Sequence, residues 1–188
     1  MTLAYTFWHR ARPEIDPTAY EADLQAFHQR LSAVPIPGFL DSWTLRVPDL
    51  PWQAGGGYED WYLVEDFAAL GVLAEHAVDA DRTPTHDQMA RSVRDGAGGL
   101  YALLGEAGSS DGRPEQAGWV GWFSKQPGVG YSQLRANLER SIEDGVIRTV
   151  WQRQLVLGPA PEFRILAPGP VAVSGADLQI GVPVVMSG

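Results

Sequence analysis

Apolar residues along the first half of the chain follow two patterns, one typical of strands and one typical of a helix. The segment Leu3–Arg10 is rich in aromatic and β-favouring residues, which predicts a strand. Asp16 and Pro17 then supply an N-cap and a first helical residue, and an apolar stripe follows at helical spacing: Tyr20, Leu24, Phe27 and Leu31. Further strands are predicted at 39–47, 59–65 and 98–104, with helices at 67–77 and 86–94.

The same kind of pattern begins again after a linker-like stretch at 105–118, GEAGSSDGRPEQAG, in which Gly, Ser, Asp and Pro cluster. A strand is predicted at Trp119–Lys125 and a helix at Tyr131–Ile142. Strands at 146–157 and 162–166 follow, and the tail 171–186 has the pattern of a β-hairpin turning at 174–177.

Spacing indicates that a strand–helix–strand unit occurs twice. The helical stripe spans 11 positions in each half, and Trp residues flank both stripes: Trp8 and Trp43 in the first, Trp122 and Trp151 in the second. Chance is the alternative explanation, because amphipathic helices between strands are common. We predict a first unit at 1–104, a linker at 105–118 and a truncated second unit with a C-terminal β tail at 119–188.

The predicted order, β-α-β-β followed by α-β, is that of ferredoxin-like proteins, in which helices cover one face of an antiparallel sheet. This order, with the aromatic strands YTFWH at Tyr5–His9 and WVGWF at Trp119–Phe123, resembles the dimeric α/β-barrel superfamily. That group includes antibiotic-biosynthesis-type monooxygenases, stress-responsive A/B-barrel proteins and chlorite-dismutase-like haem proteins. The resemblance implies an α+β fold of tandem βαββαβ units whose antiparallel sheets pack as an α/β barrel, closed within one chain or between two.

Composition excludes several classes of function. The chain has no Cys, which excludes disulfides, thiolate metal sites and cysteine nucleophiles. Its net charge of −9 argues against nucleic-acid binding. The sequence contains no Walker A, HExxH or GxSxG motif. Neither a signal peptide nor an apolar run of membrane-spanning length is recognisable, so we expect a cytoplasmic protein without membrane contact.

His9 is the candidate catalytic residue. Strand alternation places it on one face with Tyr5 and Phe7, and a histidine facing a barrel interior could act as a general base. The alternative is a half-buried histidine with a structural hydrogen bond. Its counterpart in the second unit is Phe123, so such chemistry would belong to one half only.

A candidate binding set combines flat indole walls with strand cations that could hold an anionic group: Trp8, Arg10, Trp43, Arg46, Trp61, Trp122 and Trp151. The alternatives are core filling by the indoles and solvent-reaching arginines at strand edges. His28 lies off the apolar stripe and is expected to face solvent. Adjacent acidic pairs such as Glu59-Asp60 are expected at solvated ends.

No metal or cofactor is expected. His76 and His86 flank an acidic segment, but their spacing matches no metal-binding motif. The resemblance to haem proteins implies a proximal histidine in the second unit, whereas all four His residues precede position 87.

The sequence favours a soluble barrel protein that binds a small apolar or aromatic molecule in the barrel, with a second copy of the chain as a candidate partner. The alternative is a cofactor-independent monooxygenase or isomerase acting on an aromatic or polyketide-like substrate. In that enzyme His9 would be the base, and Arg10 or Arg46 would orient an oxygen. The sequence alone leaves open whether the protein is an enzyme.

Overall fold

The chain forms two compact units, Met1–Leu100 and Tyr101–Val184. The computed structural model describes residues 1–33, 35–78, 83–108, 117–154 and 158–184. Residues 109–116 of the predicted linker therefore lie outside the described part of the chain. The boundary between the units falls within a strand, since β4 runs from Val93 to Glu106.

Unit 1 has the predicted ferredoxin-like order of elements. It comprises β1 (Leu3–Ala11), α1 (Pro17–Ala33), β2 (Phe39–Val47), β3 (Gly57–Val64), α2 (Phe67–His76), α3 (Thr83–Ser92) and the first part of β4. Its strands are ordered β2-β3-β1-β4, and β3 is antiparallel to both β1 and β2. The predicted α+β class and its antiparallel pairing are confirmed.

Unit 2 repeats this strand order with fewer helices. After the last part of β4 it contains β5 (Trp119–Lys125), α4 (Tyr131–Glu143), β6 (Thr149–Arg153), β7 (Phe163–Ala167) and β8 (Ala176–Pro183). The order β6-β7-β5-β8 matches β2-β3-β1-β4, and the described residues between β7 and β8 form no helix.

Two strand predictions in unit 2 need correction. The tail does not fold back on itself as a hairpin, because β8 pairs instead with β5 along the edge of the sheet. The strand predicted at 146–157 is shorter, with β6 covering Thr149–Arg153, and residues 155–157 lie outside the described part of the chain.

Local signals explain where the helices of unit 1 begin. The Asp16 carboxylate accepts a hydrogen bond of 3.0 Å from the backbone N–H of Ala19, which caps α1 as predicted. Asp66 caps α2 in the same way by accepting from Ala69 at 2.9 Å. Tyr20, Leu24, His28 and Leu31 are the buried residues of α1, so this helix turns one mixed face toward the sheet.

The register of the strands sorts the side chains of unit 1 onto two faces. Phe7 lies opposite Asp60 and His9 opposite Tyr58 in the β1–β3 pair. Tyr5, Phe7 and His9 face the helices, whereas Trp8 and Trp61 project from the other face and are fully buried. All six Trp residues predicted on strands are in strands.

The core of unit 2 is apolar where α4 packs on the sheet. Its buried members are Phe123, Leu134, Leu138, Ile147, Val150, Phe163, Ile165 and Val173. The rings of Phe123 and Phe163 stack with their centroids 5.1 Å apart.

Within the described ranges, no helix is long and apolar enough to span a bilayer.

Replacing a core leucine of α4 is expected to destabilise the protein strongly. Leu134 is 0% exposed, so Leu134→Ala should lower the free energy of unfolding by about 3 kcal/mol, through lost burial and the cavity left behind. Leu40→Ala, at a residue that is 47% exposed, is the control and should cost less than about 1 kcal/mol. Urea unfolding measures both, and equal losses would contradict the assigned core.

Candidate functional site

A cavity of about 650 Å³ lies between the sheet and the helices of unit 1. On its strand side are Tyr5, Phe7 and His9 of β1, with Asp60 and Tyr62 of β3. On its helix side α1, α2 and α3 contribute Leu, Phe, Met and Ala side chains, and His86 is the one polar residue that lines this side in the described chain. A volume of this size, with apolar walls and a few polar groups, is typical of small-molecule sites.

The cavity reaches solvent between α2 and α3. The side chain of His86 is 39% exposed while it lines the cavity. Ala74 on α2 and Ala90 on α3 also line it and are exposed. Small side chains on these two helices therefore border the opening.

Two glycines of β4 make room for the rings that form the strand side. A Cβ atom at Gly96 would lie 2.5 Å from Cζ of Phe7, and one at Gly98 would lie 2.9 Å from Oη of Tyr5. Real Cβ atoms do not approach so closely, so any side chain here would displace these rings.

Asp60 is the centre of a buried polar network beside the cavity. Thr44 donates a 2.6 Å hydrogen bond to Oδ1 of Asp60, and Tyr62 donates a 3.1 Å hydrogen bond to Oδ2. Nε2 of His9 lies 3.1 Å from the same Oδ2. Asp60 is only 3% exposed, so these partners take the place of water around the carboxylate.

His28 extends the network from α1, and its predicted solvent exposure is wrong. The residue is 9% exposed. Its Nε2 lies 2.8 Å from the hydroxyl of Thr44 and its Nδ1 lies 2.8 Å from the hydroxyl of Ser42. A polar residue one position after Phe27 is buried here because β2 presents two hydroxyls to it.

Both ring nitrogens of His9 lie close to a polar group. Tyr20 Oη lies 2.6 Å from Nδ1 of His9, and Tyr20 is 0% exposed. Nε2 of His9 faces Oδ2 of Asp60 without the alignment of a hydrogen bond. The direction of the hydrogen bond between Tyr20 and Nδ1 follows from which ring nitrogen carries a proton.

Burial and neighbouring groups shift the pKa values of four residues of the site. Burial by itself would raise the pKa of Asp60, but the interactions with His9 and His28 outweigh it and hold that pKa well below its usual range. Burial, together with the charge of Asp60, raises the pKa of the phenols of Tyr5, Tyr20 and Tyr62. Asp60 is therefore ionised and the three tyrosines keep their protons at neutral pH.

The cavity offers a ligand one hydroxyl that has no other role. Tyr62 donates to Asp60, Nδ1 of His9 bonds Tyr20, and Nε2 of His9 faces the carboxylate of Asp60. The hydroxyl of Tyr5 has no hydrogen-bond partner among the residues that the structure describes, and its ring packs 6.0 Å from that of Tyr62. Tyr5 can therefore donate to or accept from a ligand without breaking the network.

The seven residues of the predicted binding set do not line this cavity. Trp8 and Trp61 project from the opposite face, as does Trp43, whose ring stacks on Trp61 at 5.9 Å. Trp122 and Trp151 belong to unit 2.

The two arginines of that set make contacts outside the cavity. Arg10 bonds the carboxylate of Asp95 and the carbonyl of Ala54, and Arg46 pairs with Glu21. Their predicted part in binding stays a prediction.

Sequence reasoning missed Asp60, Tyr62 and Tyr5 as site residues. The pair Glu59-Asp60 was expected at a solvated end, but the two residues are 0% and 3% exposed in the middle of β3. The available signal was position: an ionisable residue flanked by aromatic residues inside a strand must find partners on the same face. In the described residues no three ligating side chains lie together as a metal site, and Asp79 and Asp81 lie outside them.

Asp60 is expected to make stability depend on pH. Its pKa is lower in the folded chain than in the unfolded one, so its contribution is present above the unfolded value of about 3.9 and is lost as the pH falls. Asp60→Asn should lower the free energy of unfolding by about 3 kcal/mol at pH 7. At pH 3 the loss should be about 1 kcal/mol smaller.

Chemical unfolding at both pH values measures this difference. Asp144→Asn at the exposed end of α4 is the control and should change stability by less than about 0.5 kcal/mol. A cost of Asp60→Asn that is the same at pH 3 and pH 7 would contradict the assigned charge.

Comparison with known proteins identifies the fold. No family model and no curated protein matches the chain. A crystal structure described as a putative monooxygenase from Fusobacterium nucleatum superposes with a TM-score of 0.65 at 6% identity, covering 100% of this chain and 93% of that one.

Two further solved structures give the same picture. Another described as a putative monooxygenase, from Lactobacillus acidophilus, gives a TM-score of 0.59 at 6% identity, covering 100% and 95% of the two chains. An anthrone oxidase-like protein gives 0.51 at 11% identity, with 89% and 73% covered. At these identities the likeness shows the fold alone: the chain has the ferredoxin-like α+β fold of monooxygenase-like proteins.

Proposed function

We propose that unit 1 binds a small, mainly apolar molecule in the cavity between its sheet and its helices. The observation that carries this proposal is an opening of about 650 Å³ whose helix side is almost entirely apolar. An apolar ligand in this cavity would remove apolar surface of these side chains from water, which favours binding. The ligand then lies on the helix side of unit 1 instead of the barrel interior expected from the sequence.

Tyr5 would orient the ligand. Its hydroxyl is the one cavity group on the strand side that no described residue engages, so an oxygen of the ligand would bond there. The aromatic rings of Phe7 and Phe27 offer flat apolar surface beside it. We therefore expect an aromatic or similarly flat molecule with one oxygen.

Titration calorimetry with 2-naphthol, which is uncharged at pH 7, tests binding in the cavity. The wild-type protein should bind it, and Ala90→Phe should weaken binding at least about tenfold because the ring fills the opening. Ala136→Phe, at an exposed position on α4 of unit 2, is the matched control and should leave binding unchanged. Absence of binding, or equal effects of the two variants, would rule out this site.

Removal of one hydroxyl tests the orienting role. Tyr5→Phe should weaken 2-naphthol binding about three- to tenfold, the worth of one hydrogen bond, and should leave naphthalene binding unchanged. Tyr131→Phe on the exposed surface of α4 is the control. If Tyr5→Phe affects naphthalene and 2-naphthol equally, the hydroxyl does not contact the ligand.

A second candidate function, oxygenation or isomerisation without a cofactor, is favoured by the contact of His9 with Asp60 at the cavity wall. A carboxylate against one ring nitrogen orients a histidine for proton transfer at the other. Here Nδ1 would accept a proton from the substrate once the Tyr20 hydroxyl turns away. Pairing of two copies also stays a prediction.

Anthrone is a suitable test substrate, since one of the structural neighbours is described as anthrone oxidase-like. Anthrone and one O₂ give anthraquinone and one water, so oxygen uptake above the protein-free rate measures the reaction. His9→Gln should abolish that uptake, whereas Tyr20→Phe, which frees Nδ1, should keep it or raise it. Equal uptake with the wild type and His9→Gln would remove His9 from the mechanism.

A further inference from the structure

Gly96 and Gly98 lie at alternate positions of β4, on the face of the sheet that borders the cavity. Neither glycine has a positive φ, so other residues could adopt the same backbone conformation. Glycine weakens the interior of a strand, because it has no side chain to pack and loses more conformational freedom on folding than other residues. The backbone of β4 therefore does not require glycine at these two positions.

The rings of Phe7 and Tyr5 occupy the space that side chains of β4 would fill. A Cβ atom at Gly96 would lie 2.5 Å from Cζ and 2.8 Å from Cε2 of Phe7, and one at Gly98 would meet the hydroxyl end of Tyr5. Both rings therefore lean from β1 over the neighbouring strand β4. The ring of His9 stacks on that of Phe7 with the centroids 5.3 Å apart, so Phe7 is held between His9 and β4.

A ring that leans over β4 leaves open the space between β1 and the helices. Side chains adopt a few staggered rotamers, so a ring displaced from β4 turns toward the helices or toward β3. Both directions lead into the cavity, because Phe7 lies opposite Asp60 of β3 and Asp60 lines the cavity. The absence of a side chain at Gly96 therefore gives the cavity part of its volume.

Unit 2 has one of these two contacts and lacks the other. At the matching positions Trp119 replaces Tyr5, and Gly121 replaces Phe7. A Cβ atom at Gly181 of β8 would lie 2.4 Å from Cζ2 of Trp119, so an aromatic ring leans over a glycine of the edge strand here too. Gly121 has no ring to place on β8. The contact of Phe7 with β4 is therefore a feature of unit 1, the unit that contains the cavity.

We infer that Gly96 is a specificity-determining residue: it lets the ring of Phe7 lie on β4 and so sets the size of the largest flat ligand that the cavity accepts. The inference rests on the proposed binding function and narrows its ligand to uncharged flat molecules larger than two fused rings. A volume of about 650 Å³ lies well inside the range for drug-sized ligands, so a two-ring molecule leaves part of it unfilled. A larger ring system buries more apolar surface and binds more tightly until it meets Phe7.

Two aromatic alcohols of different size, 2-naphthol and 1-hydroxypyrene, test the inference by fluorescence titration of the intact protein at pH 7. The wild-type protein should bind 1-hydroxypyrene at least about tenfold more tightly than 2-naphthol. Gly96→Ala should weaken 1-hydroxypyrene binding at least about tenfold and 2-naphthol binding less than about twofold, because the displaced ring shortens the cavity. Gly169→Ala, whose added methyl group in unit 2 meets nothing within 4 Å, is the matched control and should change neither affinity.

A double variant assigns the effect to the ring of Phe7. Leucine is shorter than phenylalanine and clears the methyl group that Gly96→Ala adds. Gly96→Ala combined with Phe7→Leu should therefore bind 1-hydroxypyrene within about threefold of Phe7→Leu alone. A further loss in the double variant as large as that in Gly96→Ala would show that the new methyl group does not act through Phe7.

The ratio of the two affinities separates the possible outcomes. If both probes bind but Gly96→Ala leaves the ratio unchanged, or the wild type binds 1-hydroxypyrene no more tightly than 2-naphthol, this inference alone is overturned. If neither probe binds the wild type, the proposed binding function fails and the inference fails with it. Far-ultraviolet circular dichroism checks that Gly96→Ala is folded. Should it not fold, Phe7→Leu alone should raise the ratio in favour of 1-hydroxypyrene, and an unchanged ratio would refute the size limit.

Discussion

A buried carboxylate, that of Asp60, is the constraint on which the site in unit 1 depends. An ionised group with 3% exposure is stable only if protein donors replace its water. Thr44 and Tyr62 do so by hydrogen bonds, and Nε2 of His9 lies 3.1 Å from the carboxylate. Tyr20 contacts His9, and His28 lies between Ser42 and Thr44. The network therefore connects α1 to the three strands β1, β2 and β3.

The two units have different side chains at matching positions of their paired strands. In the β1–β3 pair His9 faces Tyr58 and Phe7 faces Asp60, while in the β5–β7 pair Phe123 faces Phe163 and Gly121 faces Ile165. Aligning Trp8 with Trp122 makes Phe123 the counterpart of His9 and Ile165 the counterpart of Asp60. Unit 2 fills these positions with apolar side chains that pack on Leu134 and Leu138.

The sequence predicted the helices, the strands and which residues share a face of a strand, but it did not predict which polar residues contact one another. Alternation along YTFWH placed His9 with Tyr5 and Phe7, and the indole spacing predicted a repeated strand–helix–strand unit, because both patterns are local in the sequence. The network was hidden because its members are distant in sequence: His28 and Asp60, for example, are 32 positions apart and meet only through tertiary packing. Because both residues are polar, they were expected to be exposed to solvent. They are buried instead, because the hydroxyls of Ser42 and Thr44 give them hydrogen-bond partners.

The comparison of the two units argues that the polar wall of unit 1 serves more than folding. Replacing a buried ion network by well-packed apolar residues is often neutral or stabilising. Unit 2 shows that this fold accepts such a replacement at the matching positions, with Phe123 and Ile165 in a closed core. Unit 1 instead keeps an ionised Asp60 next to a cavity of about 650 Å³, although burial of a charge costs stability and the strand order itself requires neither feature. Residues that do not give the most stable packing are expected at functional sites. In unit 1 the buried carboxylate and the cavity lie next to each other.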